Sequence, residues 1–316
     1  MSNFFQLVKN EWMKLLHQKS TWIMMVILAV LVIGAGILFK VDAAFTNGDV
    51  PSGDNWKQEL QEQNEQLMAD PTAEVEYPNY GNMEENQYRI DNDLAPTAYN
   101  GWDFVRDNLG LSALVGLFAI IAGAGIVANE FRWGTIKLLL IRPITRLKIL
   151  LSKYVTVLTY ALAMKVFLYV FSLITGAALF GLEGFSETYV YQQNGDYQNT
   201  GIFTFSLLKY GLSFIELTIM TTFAFMIAAI FRNTSLAIGL SIFLMMAGSS
   251  IIFFLIEKEW AKFILFANTN LNQFFEGSPI IPDLTLGFSI TVLAVYYIVF
   301  LLLSWVFFTK RDVAGS

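Results

Sequence analysis

The sequence predicts an all-α polytopic membrane protein. It has six transmembrane helices, an N-terminal interfacial helix, a large acidic extracellular segment between spans one and two, and re-entrant helices between spans five and six. Three observations carry this expectation. Of 316 residues, 55% are hydrophobic and 15% charged, where a soluble domain holds about 25% charged residues. The apolar residues fall in blocks of about 20, the length that crosses a ~30 Å hydrocarbon core. Lysine and arginine gather in alternate connections, and that asymmetry orients a membrane chain. The composition excludes a disordered chain, a collagen-like repeat and a water-soluble globule.

The spans are read at 21–39, 109–128, 154–182, 205–231, 235–256 and 284–308. The first runs into Lys40 without a small-residue cleavage site, so it is a span and not a signal peptide. With the N-terminus inside, segments 1–20 and 129–153, the turn at 232–234 and the tail 309–316 hold 12 basic and three acidic residues. The outer segments 40–108, 183–204 and 257–283 then hold 22 acidic and six basic ones. Both termini are therefore expected in the cytoplasm. The short turn Arg232-Asn233-Thr234 makes spans four and five an antiparallel hairpin.

Several chemistries are excluded. Without cysteine there is no disulfide framework, thiolate metal site or cysteine nucleophile. The single histidine, His17, rules out a histidine metal cluster and argues against a Ser-His triad. No Gly-x-x-x-x-Gly-Lys-Ser/Thr run is present to cradle a nucleotide phosphate. The expectation is no catalytic residue, no metal, no bound cofactor and no nucleic-acid partner.

Along the chain, Phe5, Val8, Trp12, Leu15 and Leu16 share one face of an N-terminal helix. Lys9, Asn10 and Lys14 point elsewhere, towards anionic lipid headgroups. That helix is either a plain anchor or an elbow against which a cytoplasmic partner packs. The 69-residue outer segment carries 15 acidic and four basic residues. A helix is predicted over 55–69, with Asp54 capping, Trp56, Leu60, Leu67 and Met68 on one side and Pro71 beyond it. The rest, with Tyr77-Pro78-Asn79-Tyr80-Gly81 and Pro96, is turn-rich. It reads as a small cap tied to the membrane surface by Trp102 and Phe104, or else as a solvated acidic loop.

Within the spans, Lys165 and Glu216 lie at depths that differ by about one helical turn, so they are candidates for a buried pair. Such a pair is either structural or a polar point on a substrate path. Lys209 is expected to snorkel to the outer boundary. Segment 257–283 is too apolar for a free loop: Trp260, Phe263 and Phe274 flank the polar run from Asn268 to Gln273. Two short helices dipping into the outer leaflet are expected there, or else an aromatic belt. Gly116, Gly123 and Gly125 in span two, and Ala237, Gly239, Ser241, Ala247, Gly248 and Ser249 in span five, permit close helix packing.

Residues 129–153 read NEFRWGTIKLLLIRPITRLKILLSK. A connection that only joins two spans needs few residues. This one places an apolar stretch, ended by Pro143, between charged flanks, as a short helix built to dock into a groove would. A plain basic interfacial loop is the simpler alternative. The pattern Glu130, Gly134-Thr135, Leu138-Leu139, Arg142-Pro143, Arg146 and Lys153 resembles the inner loop of ABC-2 type transporter permeases. The start, with Lys9-Asn10-Glu11-Trp12 and Lys14, and the six-span order with a large outer segment also resemble the antibiotic-resistance and bacteriocin-immunity branch of that family.

The resemblance implies a permease in the bacterial cell membrane that pairs with a second permease subunit, identical or related, and with two cytoplasmic ABC ATPase subunits. ATP and Mg would sit on those partners. It further implies that Glu130, Arg132, Gly134, Thr135, Arg142, Pro143 and Arg146 couple ATPase closure to the spans. The substrate would be a hydrophobic or amphipathic peptide, antibiotic or lipid-like molecule. It is expected to contact the inner halves of spans two and five. Two other classes compete: a membrane-embedded sensor or immunity protein that binds an extracellular ligand, and an ion-coupled carrier using Lys165 and Glu216. The carrier lacks the inverted repeat and broken helices expected of it.

Overall fold

The structure is a computed structural model that describes residues 4–46, 51, 53–69, 83–135, 144–182, 188–193, 195–275 and 279–310. The elements are α1 (Phe4–Leu16), α2 (Lys19–Thr46), α3 (Trp56–Ala69), α4 (Met83–Asp91), α5 (Gly101–Asp107), α6 (Ser112–Arg132) and α7 (Arg146–Phe180). They continue with β1 (Thr188–Gln193), β2 (Asp196–Gly201), α8 (Ile202–Phe231), α9 (Thr234–Leu255), α10 (Leu265–Asn268) and α11 (Leu286–Lys310). Six helices are long and apolar enough to cross a bilayer: α2, the α5–α6 run, α7, α8, α9 and α11. The protein is a multi-pass membrane protein.

α8 is the central helix, packed on α6, α7, α9 and α11. Around it, α2 and α9 leave most of their apolar side chains uncovered, among them Val26, Val30, Phe243 and Phe254. Helices apolar all round suit a hydrocarbon solvent, where exposure of such side chains carries no penalty. One end of the bundle, called here the terminal end, carries α1, the last turns of α6 and α11, the start of α7 and the α8–α9 turn. The other, the cap end, carries α3–α5, the strands and residues 256–275 and 279–285.

Helix limits follow local signals. α7 begins at Arg146, eight residues before the apolar block suggests, because the Thr145 hydroxyl accepts the Lys148 N–H at 3.4 Å and supplies an N-cap. Its 35 residues span about 52 Å, and Gly181 stops it with φ of +81°. The α8–α9 hairpin is as tight as expected. Arg232 takes φ 54°, and the Asn233 side chain caps α9 by accepting the Leu236 N–H at 3.0 Å.

The cap end adds a β-hairpin to the all-α expectation. β1 and β2 pair antiparallel from Thr188↔Gly201 to Gln193↔Asp196. Tyr189 and Tyr191, two residues apart and so on one face, both pack on Phe205 of α8 at 4.7 Å. Asn199 Nδ2 donates to the Tyr88 hydroxyl at 2.9 Å, and Asn86 Nδ2 donates to Asn64 Oδ1 at 2.9 Å. These bonds link the hairpin to α4, and α4 to α3. In α3, Trp56 and Leu60 are buried as expected, but Gln63 and Asn64 share that side while Met68 is exposed. The turn-rich run 77–81 lies outside the described residues.

Trp102 and Phe104 are not surface anchors. Both are completely buried: Trp102 meets Phe203 edge-on at 5.7 Å, and Phe104 meets Phe39 and Phe180 at 6.1 and 5.6 Å. Two glycines make this possible. A Cβ on Gly176 of α7 would lie 2.8 Å from the Gly101 carbonyl oxygen, and Gly101 N–H donates to the Gly181 carbonyl at 2.9 Å. The described residues 257–275 form 3₁₀ turns at Glu259–Phe263 and Leu271–Phe274 on either side of the single-turn α10. They wedge against α8, α9 and α11, with Phe266 against Gly248 and Asn268 Oδ1 accepting from Ser289 at 2.8 Å.

Gly176→Ala should cost about 1–3 kcal/mol by overpacking the α5–α7 crossing. Gly34→Ala, with nothing within 4 Å of the new methyl, should be silent. Thermal unfolding of the detergent-solubilised protein compares them, and equal melting temperatures would contradict the crossing.

Candidate functional site

Two polar loci stand out, one at each half of the bundle. The first joins the two ends of the 129–153 connection. Lys153, in the second turn of α7, is 1% exposed in its side chain. Its ammonium donates to Glu11 Oε2 at 2.8 Å and Glu130 Oε1 at 2.5 Å. Lys14, half-exposed, donates to Glu11 Oε1 at 2.6 Å and Glu130 Oε1 at 3.2 Å. Two carboxylates and two ammonium groups thus make a neutral four-residue cluster joining α1, α6 and α7. Burying an unpaired ammonium costs several kcal/mol, so Lys153 holds its depth only with both partners in place. Glu130 Oε2 is buried without a partner among the described residues.

Burial alone would raise the Glu11 carboxyl. The Lys153 ammonium, helped by Lys14, outweighs it and leaves Glu11 below its ordinary value. Desolvation likewise works against Lys14, yet Glu11 and Glu130 raise it above its ordinary value. The Glu11 contribution is therefore full above the ordinary carboxylate pKa and is lost as pH falls below it. The Lys14 contribution is full below the ordinary lysine pKa and is lost as pH rises above it.

The face of α1 that meets the bundle differs from the expected apolar one. Glu11 and Leu15 are buried, Val8 and Trp12 half-buried, while Phe5 and Leu16 stay exposed. The elbow to α2 is fixed by Thr21 and Trp22, whose Oγ1 and Nε1 donate to the Leu15 and Leu16 carbonyls at 2.7 and 2.9 Å. These bonds satisfy last-turn carbonyls that α1 leaves open.

The last turns of α6 are a meeting point. Thr234 at the start of α9 donates to Asn129 Oδ1 at 2.9 Å. The Arg232 guanidinium lies 4.5 Å over the Phe131 ring, and Phe131 meets Phe308 of α11 edge-on at 6.0 Å.

The resemblance-derived set divides here. Glu130 and Arg146 face inward: Arg146 donates to the Thr309 carbonyl in the last turn of α11 at 2.8 Å, where a cation is favourable. Arg132 and Gly134 are exposed beside Trp133, and Gly134 takes φ of +69° in the turn that leaves α6. Thr135 is half-buried and donates to the Glu130 carbonyl at 3.4 Å. Arg142 and Pro143 lie outside the described residues. No cluster of three or more metal-ligating side chains occurs among the described residues.

The second locus is a cavity of about 590 Å³ between α6, α8, α9 and the turns at 266–272. It touches α6 at Ser112 and Gly116 and α9 at Met245 and Ser249, in the halves of both helices nearer the cap end. The expected Lys165–Glu216 ion pair does not form within 4 Å. The Lys165 ammonium donates instead to Ser112 Oγ and Ser213 Oγ, with its Nζ 4.9 Å from the centre of the Tyr210 ring. Ser213 lies one turn before Glu216 on the same face of α8 and both line the cavity; the serine is the one that bonds Lys165. Lys209 is buried beside the Phe205 ring, not snorkelling.

A family model described as a protein of unknown function, DUF2705, matches residues 85–314. The chain belongs to this family. The matched stretch holds Glu130, Lys153, Lys165 and Glu216, whereas Glu11 and Lys14 precede it. The uncharacterized protein YhcI of Bacillus subtilis (strain 168) is 40% identical over 317 residues, covering 98% of this chain and 99% of that protein. The uncharacterized membrane protein YdbK of the same organism is 32% identical over 206 residues, 64% of this chain and 79% of YdbK.

The reasoning from sequence missed Glu11 and Lys14 as cluster members. A signal was present: Glu11 interrupts the Val8, Trp12, Leu15 stripe, where helical spacing calls for an apolar residue. Lys153→Ala should destabilise the protein by roughly 3–5 kcal/mol, because it strands two buried carboxylates. Wild-type melting temperature should fall as pH drops below the ordinary carboxylate value, and Glu11→Gln should flatten that acid limb. Melts of the solubilised protein across acid and neutral pH read both effects. An acid limb identical in Glu11→Gln would contradict the cluster.

Proposed function

We propose that this chain is the transmembrane permease subunit of an ATP-driven ABC exporter in the bacterial cell membrane. ATP is hydrolysed on separate cytoplasmic ABC ATPase subunits, and a second permease subunit, identical or related, completes the pathway within the lipid bilayer. The chain itself is not an enzyme and binds no cofactor. The substrate is a hydrophobic or amphipathic molecule moved outward. The terminal end faces the cytoplasm, in keeping with the 12 basic and three acidic residues in its segments.

The observation that carries this reading is the ion cluster that joins the two ends of the 129–153 connection. Glu130 at one end of the connection and Lys153 at the other are bonded to each other and to α1. A push on the connection therefore reaches α1, α6 and α7 as one piece, while Arg132, Trp133 and Gly134 stay exposed beside it. The ABC-2-like pattern of the same connection supplies the identity of what pushes.

Two measurements test the proposal. Gentle solubilisation from the native membrane should bring down a P-loop ATPase with this chain, and the eluate should hydrolyse ATP. A folded chain recovered without any ATPase would overturn the exporter. In the reconstituted complex, Arg132→Glu with Trp133→Ala should leave the melting temperature unchanged. Transport per ATP hydrolysed should fall at least tenfold, and full transport in that variant would remove the exposed turn from coupling.

A further inference from the structure

The cavity between α6, α8, α9 and residues 266–272 has a mixed wall, with two acceptors facing an apolar patch. Its cations already have partners. Lys165 is held by Ser112, Ser213 and the Tyr210 ring. Arg106 at the mouth donates to Asp103 at 2.9 Å and Asp107 at 3.2 Å. Two acceptors make no hydrogen bond among the described residues. The Glu216 carboxylate lines the cavity and has Lys165 only as a charge nearby, without a hydrogen bond, and Asn272 Oδ1, on the same cavity, is buried with no described donor. Met220, Met245 and Phe266 supply a soft apolar part of the wall, beside the hydroxyls of Ser249 and Thr269.

A buried acceptor left unsatisfied costs about 1–3 kcal/mol, more when it is charged. A ligand that donates to both acceptors removes that penalty. We propose that this cavity binds a small cationic amphiphile. Its primary ammonium or guanidinium group donates to Glu216 and Asn272, and its apolar body packs on Met220, Met245 and Phe266. Methionine side chains adapt to irregular apolar shapes, and sites for drug-sized ligands run from about 300 to 1,000 Å³. A cation brings a donor to both acceptors and a second counter-charge to Glu216 beside that of Lys165, which an anionic or a neutral ligand does not.

The inference names the substrate class of the proposed exporter and rests on that reading for its role in transport. Binding itself is a property of the isolated chain, so it stands or falls separately from ATPase co-purification. The experiment uses the full chain in lipid nanodiscs and dansylcadaverine, a fluorescent primary amine on an apolar body. Its N-acetylated form keeps the body and loses the charge. Empty nanodiscs give the background partitioning. Dansylcadaverine should bind saturably above background, and the acetylated form at least tenfold more weakly.

Glu216→Gln should weaken the amine at least tenfold and leave the acetylated form unchanged. Met220→Trp, which fills the cavity from its apolar side, should abolish saturable binding of the amine and so decides the matter if Glu216→Gln does not fold. Equal binding of the two probes, undiminished amine binding to folded Glu216→Gln, or full binding to folded Met220→Trp would each overturn the proposal.

Discussion

The terminal end of this protein depends on one ammonium group. Lys153 is buried on a membrane helix, where an unpaired charge is not tolerated, and Glu11 and Glu130 come from two other helices to neutralise it. Each partner is 23 or more residues away along the chain. The charge therefore specifies a three-helix arrangement that apolar packing in lipid leaves loose, because hydrocarbon solvates a helix face as well as another helix does. Lys14 balances the second carboxylate and brings the cluster to neutrality.

From that junction the other constraints at this end follow. With α6 fixed, Asn129 and Phe131 are placed to receive Thr234, Arg232 and Phe308, so α8, α9 and α11 finish against the same two turns. Arg146 then ties the start of α7 to the last turn of α11. The cap end is built differently. Close glycine contact between α5 and α7 and a cluster of buried aromatic rings do there what ion pairs do at the terminal end. The polar cavity lies between α6, α8 and α9 in their halves nearer the cap end, with residues 266–272 on its wall.

Much of this was legible in the residues. The six apolar blocks specify six helices because no other element satisfies its own backbone in hydrocarbon, and Arg232-Asn233-Thr234 leaves no room for anything but a hairpin. Other features were legible but overlooked. Asn194-Gly195 between Tyr-Val-Tyr and Tyr-Gln-Asn is a strong hairpin signal, and Gly195 takes φ of +95°. Trp102 and Phe104 fit an interfacial belt by composition, and only their packing on Phe203 and Phe180 separates core from surface. The ion cluster was half legible: Glu11 stands out on its helix, but its partner is 142 residues away. No spacing rule reaches that far. Lys165 and Glu216 matched in depth only to about one helical turn, and that turn decides the partner: Ser213, one turn earlier on the same face of α8, takes the lysine.

The central claim is that buried charge, not apolar contact, holds α1 against α6 and α7. Amide hydrogen exchange on the wild-type protein and on Glu11→Gln, both in the same lipid nanodiscs, tests it most directly. The account predicts that amides in the second half of α1 exchange at least tenfold faster in the variant, while those of α8 and α11 keep their protection. Unchanged protection of α1 in a folded Glu11→Gln protein would contradict it, and would assign the anchoring of that helix to Leu15, Trp12 and the lipid.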